Sequence, residues 1–567
     1  MRRLVAGPLL RHVGERTATV WVETDRPGEV SVLDATSPTF TVHGHHYAIV
    51  EVDGLTPGAR TPYDVRLDGE VVWPEAGDDG RPPSVIRTLD PALPLRLAFG
   101  SCRKAPAPAA RHGVDALSAY GRRLAAGGEE PPSVLLLVGD QVYADTPPVP
   151  LREFIRARRD VAEPPHEEVA DFTEYAELYR LAWTADPDVR WLLSTVPTLM
   201  IFDDHDIRDD WNTSQAWRRE MAAQPWWRHR IGGGLAAYWI YQHLGNLDPD
   251  ERRADPVYAA VRAAGHDAGK IVDEFAAAAD GGAARWSYAH DVGRVRLIVL
   301  DSRCGRVLDE GRRAMLAGGE QAWFDERCAG GVDHLLIVSS LPYLLPAGIH
   351  EVEAWNEAVC AGAWGRRPAA LGERLRQGAD LEHWAAFQRS FRAMAAGLLD
   401  VVRGARGTPP ASVTILSGDV HYSYLARVRG RAIAQVVCSP LHNPLTARLR
   451  RANRLACLRG VRTSLRLLAR AAGVAPSPLA WRVTDGPWFV NAIATIDIDG
   501  RAATVRWETP AAGGGMAVLG RAVLSGPAAP AVGRTVLGLQ QVSGACNRCY
   551  AFNRSETFGR SETFGRS

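Results

Sequence analysis

Val134-Leu135-Leu136-Leu137-Val138 runs without a break into Gly139-Asp140-Gln141-Val142-Tyr143-Ala144-Asp145. Five apolar residues in succession suit a strand buried on both faces, as in the middle of a parallel sheet. The glycine then turns the chain, and the first polar side chain falls just beyond the strand's carboxyl end. In layered α/β folds, loops converge and ligands collect at that end.

The same design recurs along the chain. Leu95–Phe99 leads into Gly100-Ser101-Cys102, Leu199–Phe202 into Asp203-Asp204-His205-Asp206, Leu297–Leu300 into Asp301-Ser302-Arg303, and Val413–Leu416 into Ser417-Gly418-Asp419-Val420-His421. Leu335–Val338 ends in Ser339-Ser340, and Ala432–Val437 precedes Cys438-Ser439-Pro440-Leu441-His442-Asn443. Helical, Ala- and Arg-rich stretches around 151–195, 214–280 and 380–404 separate several of these runs. One strand–Gly–Asp turn is ordinary. Several Asp- and His-bearing exits in one chain predict a layered α/β region with its site at those exits.

Residues 1–90 read as a small all-β sandwich. Thr17–Glu23 and Thr41-Val42-His43 alternate, and turns fall at Arg26-Pro27-Gly28 and Thr56-Pro57-Gly58. Gly77–Pro83 reads as a loop at its end. The catalytic region then spans 91–524, with a helical insertion at about 211–280 and an Arg-rich helical segment at about 441–473. Trp217, Trp226, Trp227 and Trp239 read as packing within the insertion. Residues 525–567 end in a repeat of Arg-Ser-Glu-Thr-Phe-Gly from Arg554 and Arg560, and are read as a disordered tail. Its lone pair Cys546 and Cys549 is a weak zinc signal.

Composition excludes several classes. With 46% hydrophobic and 23% charged residues over 567 positions, the chain is long enough for a large core. A formal charge of +1 gives no overall nucleic-acid or membrane signal. Eight scattered cysteines make no disulfide framework. No run reaches the ~18 apolar residues of a transmembrane helix. Gly7 and Pro8 break the only apolar run near the start, so the sequence as it stands reads as cytoplasmic.

The chemistry is concentrated at the exits. Asp140 either bridges two cations or caps its strand. Tyr143 either folds back as a ligand, which needs a Lewis acid as strong as ferric iron, or packs. Asp203–Asp210 holds five carboxylates with His205 and Arg208, a density that repels itself unless cations compensate it. Asp419 and His421, two apart in extended chain, point to one side and suit joint coordination. Cys102 is a nucleophile, a ligand or filler. Arg208 is either a phosphate contact or a salt bridge to Asp206 or Asp210. The arginines of 441–473 form either a basic lid for an anionic polymer or lipid head group, or the solvated face of surface helices. Asp301 and Arg303 support the site or pair structurally.

As an ordered set, Gly100-Ser101-Cys102, Gly139-Asp140-x-x-Tyr143-Ala144-Asp145, Asp203-Asp204-His205-Asp206, Asp301-Ser302-Arg303 and Ser417-Gly418-Asp419-Val420-His421 resemble the alkaline phosphatase D (PhoD-like) branch of the calcineurin-like metallophosphatases. The resemblance spans roughly residues 5–520. It implies a four-layer α/β/β/α sandwich preceded by a small all-β, immunoglobulin- or fibronectin-like domain. It also implies hydrolysis of phosphodiesters and phosphomonoesters by metal-activated water, with ferric iron plus calcium or another divalent ion (manganese or zinc) as cofactors.

Carried over residue by residue, Cys102 and Tyr143 ligate iron, Asp140 bridges the metals, Asp204 reaches the second metal, and Asp203 is a further metal ligand. Asp419 and His421 close the cluster. His205 stands near the leaving oxygen as general acid or phosphate donor, with Asp206 and Arg208 beside it as catalytic residues. The chain departs from the broader superfamily in offering Cys102 where Asp-x-His is common, and Asp419-x-His421 where His-x-His is frequent. Members of the family are often exported. The partner implied is a phosphoester substrate, polyanionic ones included, with no specific nucleic-acid partner. The alternative is a non-catalytic or narrowly specific protein of the same fold that binds an anionic polymer or lipid head group.

Overall fold

Each apolar run forms a strand, and the layers packed on its two faces explain why the run is continuous. Along Val295–Leu300, Leu297 and Val299 join one hydrophobic core while Ile298 and Leu300 join another. Along His334–Ser339, Leu336 and Val338 share the first core, and Leu335 and Ile337 the second. With no wet face, the period-two signal of a half-buried strand disappears. The computed structural model describes residues 2–75, 80–446, 450 and 459–526.

Two sheets carry the layered region. The first runs, in spatial order, Thr198–Ile201, Val134–Val138, Leu95–Gly100, Ile493–Asp499, Ala502–Pro510 and Met516–Ser525. Its first three strands are parallel, with Leu97 opposite Val134 and Leu135 opposite Thr198. The second runs Tyr288–Val292, Val295–Leu300, His334–Ser339, Ser412–Ser417, Ile433–Val437, Ser423–Val428 and Trp481–Trp488. Its Val295, His334, Ser412 and Ile433 strands are parallel. Phe99, Leu136 and Val138 of the first sheet share a core with Leu336, Val338, Leu416 and Val436 of the second, so the sheets face each other. Helices cover the outer faces. Leu117 and Tyr120 of Ala116–Ala125 pack with the first sheet, and Phe324 of Gly318–Arg327 and Phe391 of Gln388–Arg403 with the second. This is the expected α/β/β/α layering, and it brings the carboxyl ends of both parallel sets to one edge.

The N-terminal region is all-β, with one sheet of Leu4–Val13, Ala18–Thr24, His45–Val52 and Phe40–Val42 and another of Ala35–Pro38, Glu29–Val32, Val65–Leu67 and Glu70–Trp73. The alternation of Ala18–Thr24 does not mark a wet face. Val20 and Val22 pack on Val30 and Val65 inside the sandwich, whereas Trp21 turns outward against Trp183 and Tyr241 of the layered region. Arg11, fully buried, donates to the carbonyls of Thr198, Tyr241 and Gln242 and to Asn246 Oδ1 at 2.7–3.0 Å. Tyr241 and Gln242 belong to a π-helical turn, Tyr238–His243, one residue wider than an α-turn.

The insertion is helical from Gln215–Ala222 to Gly269–Asp280, and Trp217 and Trp227 meet edge to face within it. Helices Ala347–Cys360 and Arg366–Gly378 precede Gln388–Arg403, and Arg459–Ala471 is the main described part of the Arg-rich segment. Gly77–Asp79 of the predicted loop, residues 447–449 and 451–458 of the Arg-rich segment, and the tail from 527 lie outside the described residues. No helix among the described residues is long and apolar enough to cross a membrane.

Candidate metal centre

The site begins with backbone that ordinary side chains avoid. Cys102, Asp140, Asp419 and His421, each just past a parallel strand, have φ of 57°, 51°, 63° and 56°. Non-glycine residues with positive φ are uncommon and gather at functional sites, where surrounding structure holds them. Two glycines permit the close approach. A Cβ on Gly139 would stand 2.7 Å from the Cβ of Asp203, and one on Gly418 would overlap Ser101. The strand–Gly–Asp design is thus a packing requirement that also aims the following carboxylate inward.

These exits converge. Cys102, Asp140 and His421 each offer a ligand atom within 4.8 Å of the others, and so do Asp140, Asp203 and Asp204. Asp140 belongs to both groups. Tyr143 donates its hydroxyl to Asp140 Oδ2 at 3.3 Å and receives Asn443 Nδ2 at 3.1 Å. The Cys102 sulfur accepts from Ser439 Oγ at 3.3 Å. Asp419 Oδ2 receives His383 Nε2 at 2.8 Å, and His383 Nδ1 meets Glu353 at 2.7 Å.

The electrostatics are unbalanced. Burial, then the neighbouring acids, pushes the Asp140 carboxyl well above its ordinary range, although His205 opposes this. Burial raises Asp203 to about 8 despite Arg303, and raises Asp204 as well. Burial and then Asp140 push the Cys102 thiol and the Tyr143 phenol far up. A thiol so disfavoured as thiolate is no free nucleophile. Burial opposes ionisation of Asp419, yet His383 and Arg303 bring it down to about 2. Burial lowers His421 to about 4, leaving the neutral ring that coordinates metals. Asp140 Oδ1, Asp203 Oδ2 and Asp204 Oδ1 are buried without a hydrogen-bond partner. Arg303 lies 3.2 Å from Asp204 Oδ1, but buried polar atoms are almost always satisfied, so the two carboxylate oxygens left with no partner, on Asp140 and Asp203, fit cations.

His205 Nδ1 meets Asp145 Oδ2 at 2.9 Å, and its ring lies 4.5 Å from that of Tyr143. Burial alone would lower the imidazole, but Asp145 and Asp204 outweigh it and hold the ring protonated. Two expected catalytic residues are otherwise engaged. Asp206 receives the backbone N–H of Asp203 at 2.9 Å and Gln242 Nε2 at 3.2 Å, so it braces the loop. Arg208 pairs with Glu168 at 2.6 Å, not with Asp206 or Asp210, and stacks over Trp226.

The cation of the cluster is instead Arg303. Fully buried, it hydrogen-bonds Asp203 and reaches Asp204 at 3.2 Å and Glu382 at 2.5 Å. Asp301 does not pair with it through side chains; it receives the backbone N–H groups of Arg303, Cys304 and Gly305. Glu353, Glu382 and His383 carried no signal in the sequence, because no strand exit precedes them.

Residues 97–266 match the family model of PhoD-like phosphatases. The chain carries a PhoD-like phosphatase domain. A solved structure titled "Structure of PhoD" matches with a TM-score of 0.57 at 11% identity, covering 91% of this chain and 89% of that one, a likeness of fold. Residues 1–86 match a domain of unknown function, DUF7800. No curated protein matches the chain. The family match over residues 97–266 supports a phosphatase-type hydrolase. The matched segment contributes Cys102, Asp140, Tyr143 and Asp203–Asp206, while Arg303, His383, Asp419 and His421 reach the same centre from beyond it.

Proposed function

We propose that the chain is a metal-dependent hydrolase of phosphodiesters and phosphomonoesters. The observation that carries this is the orphaned carboxylate cluster in which Asp140 belongs to two ligand groups at once. Cys102, Tyr143, Asp140 and His421 would hold one ion, ferric iron by the demands of a thiol and a phenol. Asp140, Asp203, Asp204 and Asp419 would hold calcium or another divalent ion. Such ions supply Lewis acidity, neutralising phosphoryl oxygens and acidifying water.

The protein's own groups orient and transfer protons. Asp145 fixes His205 through Nδ1 and leaves Nε2 facing the exposed Asp209 at 3.6 Å, on the open side of the site. His205 donates a proton to the leaving oxygen from that nitrogen. Glu353, through His383, keeps Asp419 ionised and fixed. Asp206 sets the backbone of Asp203, and Arg208 pairs with Glu168, which Arg230 also holds.

Hydrolysis of a chromogenic phosphodiester and its matching monoester, by protein reconstituted with iron plus calcium, tests the reading alongside metal content and visible absorption. Activity with bound iron in the parent chain, both missing in Asp140→Ala, is the expected result. Metal-loaded protein inert toward both esters overturns it.

A further inference from the structure

Twelve large hydrophobic side chains are exposed among the described residues, and five belong to one region: Trp364, Leu371, Leu375, Leu467 and Leu468. Helices Arg366–Gly378 and Arg459–Ala471 both lie against Ala347–Cys360. Gly372 sits so close that a Cβ there would be 3.0 Å from Cys360 Sγ, and Arg466 pairs with Glu351 at 2.9 Å. Trp364 joins the two helices by donating its indole N–H to the Ala471 carbonyl at 3.2 Å.

The outward stripes of these helices break the usual rule. On Arg366–Gly378 the exposed positions 367, 370, 371, 374, 375 and 378 follow one helical face, and Leu371 (67% exposed) and Leu375 lie along it. On Arg459–Ala471 the exposed face holds Leu467 (60% exposed) and Leu468. A surface helix of a water-soluble protein normally turns polar residues outward. Arginine rims the leucines. Arg376 and Arg466 have carboxylate partners, whereas Arg366, Arg367, Arg374, Arg462 and Arg470 have none among the described residues.

We propose that this face docks the protein on an anionic lipid bilayer. Apolar side chains enter the headgroup boundary while guanidinium groups meet lipid phosphates, and a tryptophan with its N–H engaged suits that depth. Charge excludes the other occupants. A second copy would set the same unpaired arginines against one another. The chain's own segment from 527 carries five arginines and two glutamates, so it is basic too. A nucleic acid would use the arginines and leave the leucines without a role. The face also adjoins the site, since Arg366–Gly378 leads through Asp380 to Glu382 and His383. Docking here would present the strand exits to phosphoesters at headgroup level, although binding itself does not depend on hydrolysis.

The test is flotation of the full chain with vesicles of phosphatidylcholine alone or with about one-third phosphatidylglycerol. Binding to the anionic vesicles, little to the neutral ones, and weakening by salt are expected. The triple variants Leu371→Ser/Leu467→Ser/Leu468→Ser and Arg367→Gln/Arg374→Gln/Arg470→Gln should each weaken partitioning about a hundredfold with melting temperature unchanged. Three results overturn the proposal: no vesicle binding by the full chain, anionic binding untouched by the leucine substitutions, or a dimer that those substitutions dissolve.

Discussion

Two clusters of charge in this molecule, one half-buried and one buried, contrast in one respect. On the outer side of the first sheet, Glu129 and Glu508 lie among Arg96, Arg123 and Arg506, and each of their four carboxylate oxygens has an arginine within 3.1 Å. At the strand exits, Asp140, Asp203 and Asp204 have Arg303 as their arginine, and two of their oxygens, Asp140 Oδ1 and Asp203 Oδ2, have neither an arginine nor a hydrogen bond. The first is a closed account of charge and holds structure together. The second is short of positive charge, and its carboxyls rise in pKa where Glu129 is lowered by its arginines against the pull of burial. Density of acids does not distinguish a metal centre from an ion network. Balance does.

Exchanging charge for a neutral isostere gives the largest separation. Glu508→Gln should destabilise by about 1 kcal/mol, because Arg123 and Arg506 each lose one of two carboxylate partners and keep Glu129, and should leave hydrolysis intact. Asp140→Asn should raise the melting temperature of the metal-free protein by removing a repelled carboxylate. It should also lower hydrolysis more than about a hundredfold, beyond the cost of losing a supporting group. Calorimetry with the ester assay reads both, and a metal-free Asp140→Asn less stable than its parent would break the contrast. Chelation sharpens it: removing metal should abolish hydrolysis while the Arg–Glu network stays folded, seen as an unchanged far-ultraviolet spectrum at ambient temperature.

His383→Ala should weaken metal binding about ten- to a hundredfold by freeing Asp419, and His383→Gln should restore part of it. Titration calorimetry with calcium decides this, and equal affinity in all three proteins would remove His383 from the centre.

The smallest effect concerns bases. His243 and His350 are buried against Trp286 and against Phe391 and Trp481, and burial lowers each to about 3. Their folded values lie below the unfolded value of about 6.5, so the stability they permit is complete above that pH and is lost as pH falls towards 3. Each should cost about 2 kcal/mol between pH 6.5 and 5. Urea midpoints at the two pH values measure it, and His350→Phe should reduce the loss.

The parallel strands were legible because burial on both faces writes itself as continuous apolar runs, and Val134–Val138 was bounded to the residue. The polar residues after them were legible for the same reason, since the end of a buried strand marks where the chain reaches the site edge. Side-chain direction was not. Arg208 sits amid carboxylates in sequence yet crosses to Glu168, and Arg303, two residues after Asp301, ignores it for Asp203. Partners chosen across a fold leave no trace in local spacing. Nor does His383, which reaches the centre from a helical connection. In Ala18–Thr24 the alternation was real, but a second covering layer put Trp21 on a buried face.

Arg11 also bears on inheritance. Its guanidinium grips the Gln242 carbonyl, and the Gln242 side chain in turn holds Asp206, whose other oxygen fixes Asp203. Three links therefore run from the first strand of the N-terminal region to the strand exits. Genes that exchange the first ninety or so codons with a relative must carry over a compatible turn at Tyr238–His243, so the two stretches should descend together as one unit.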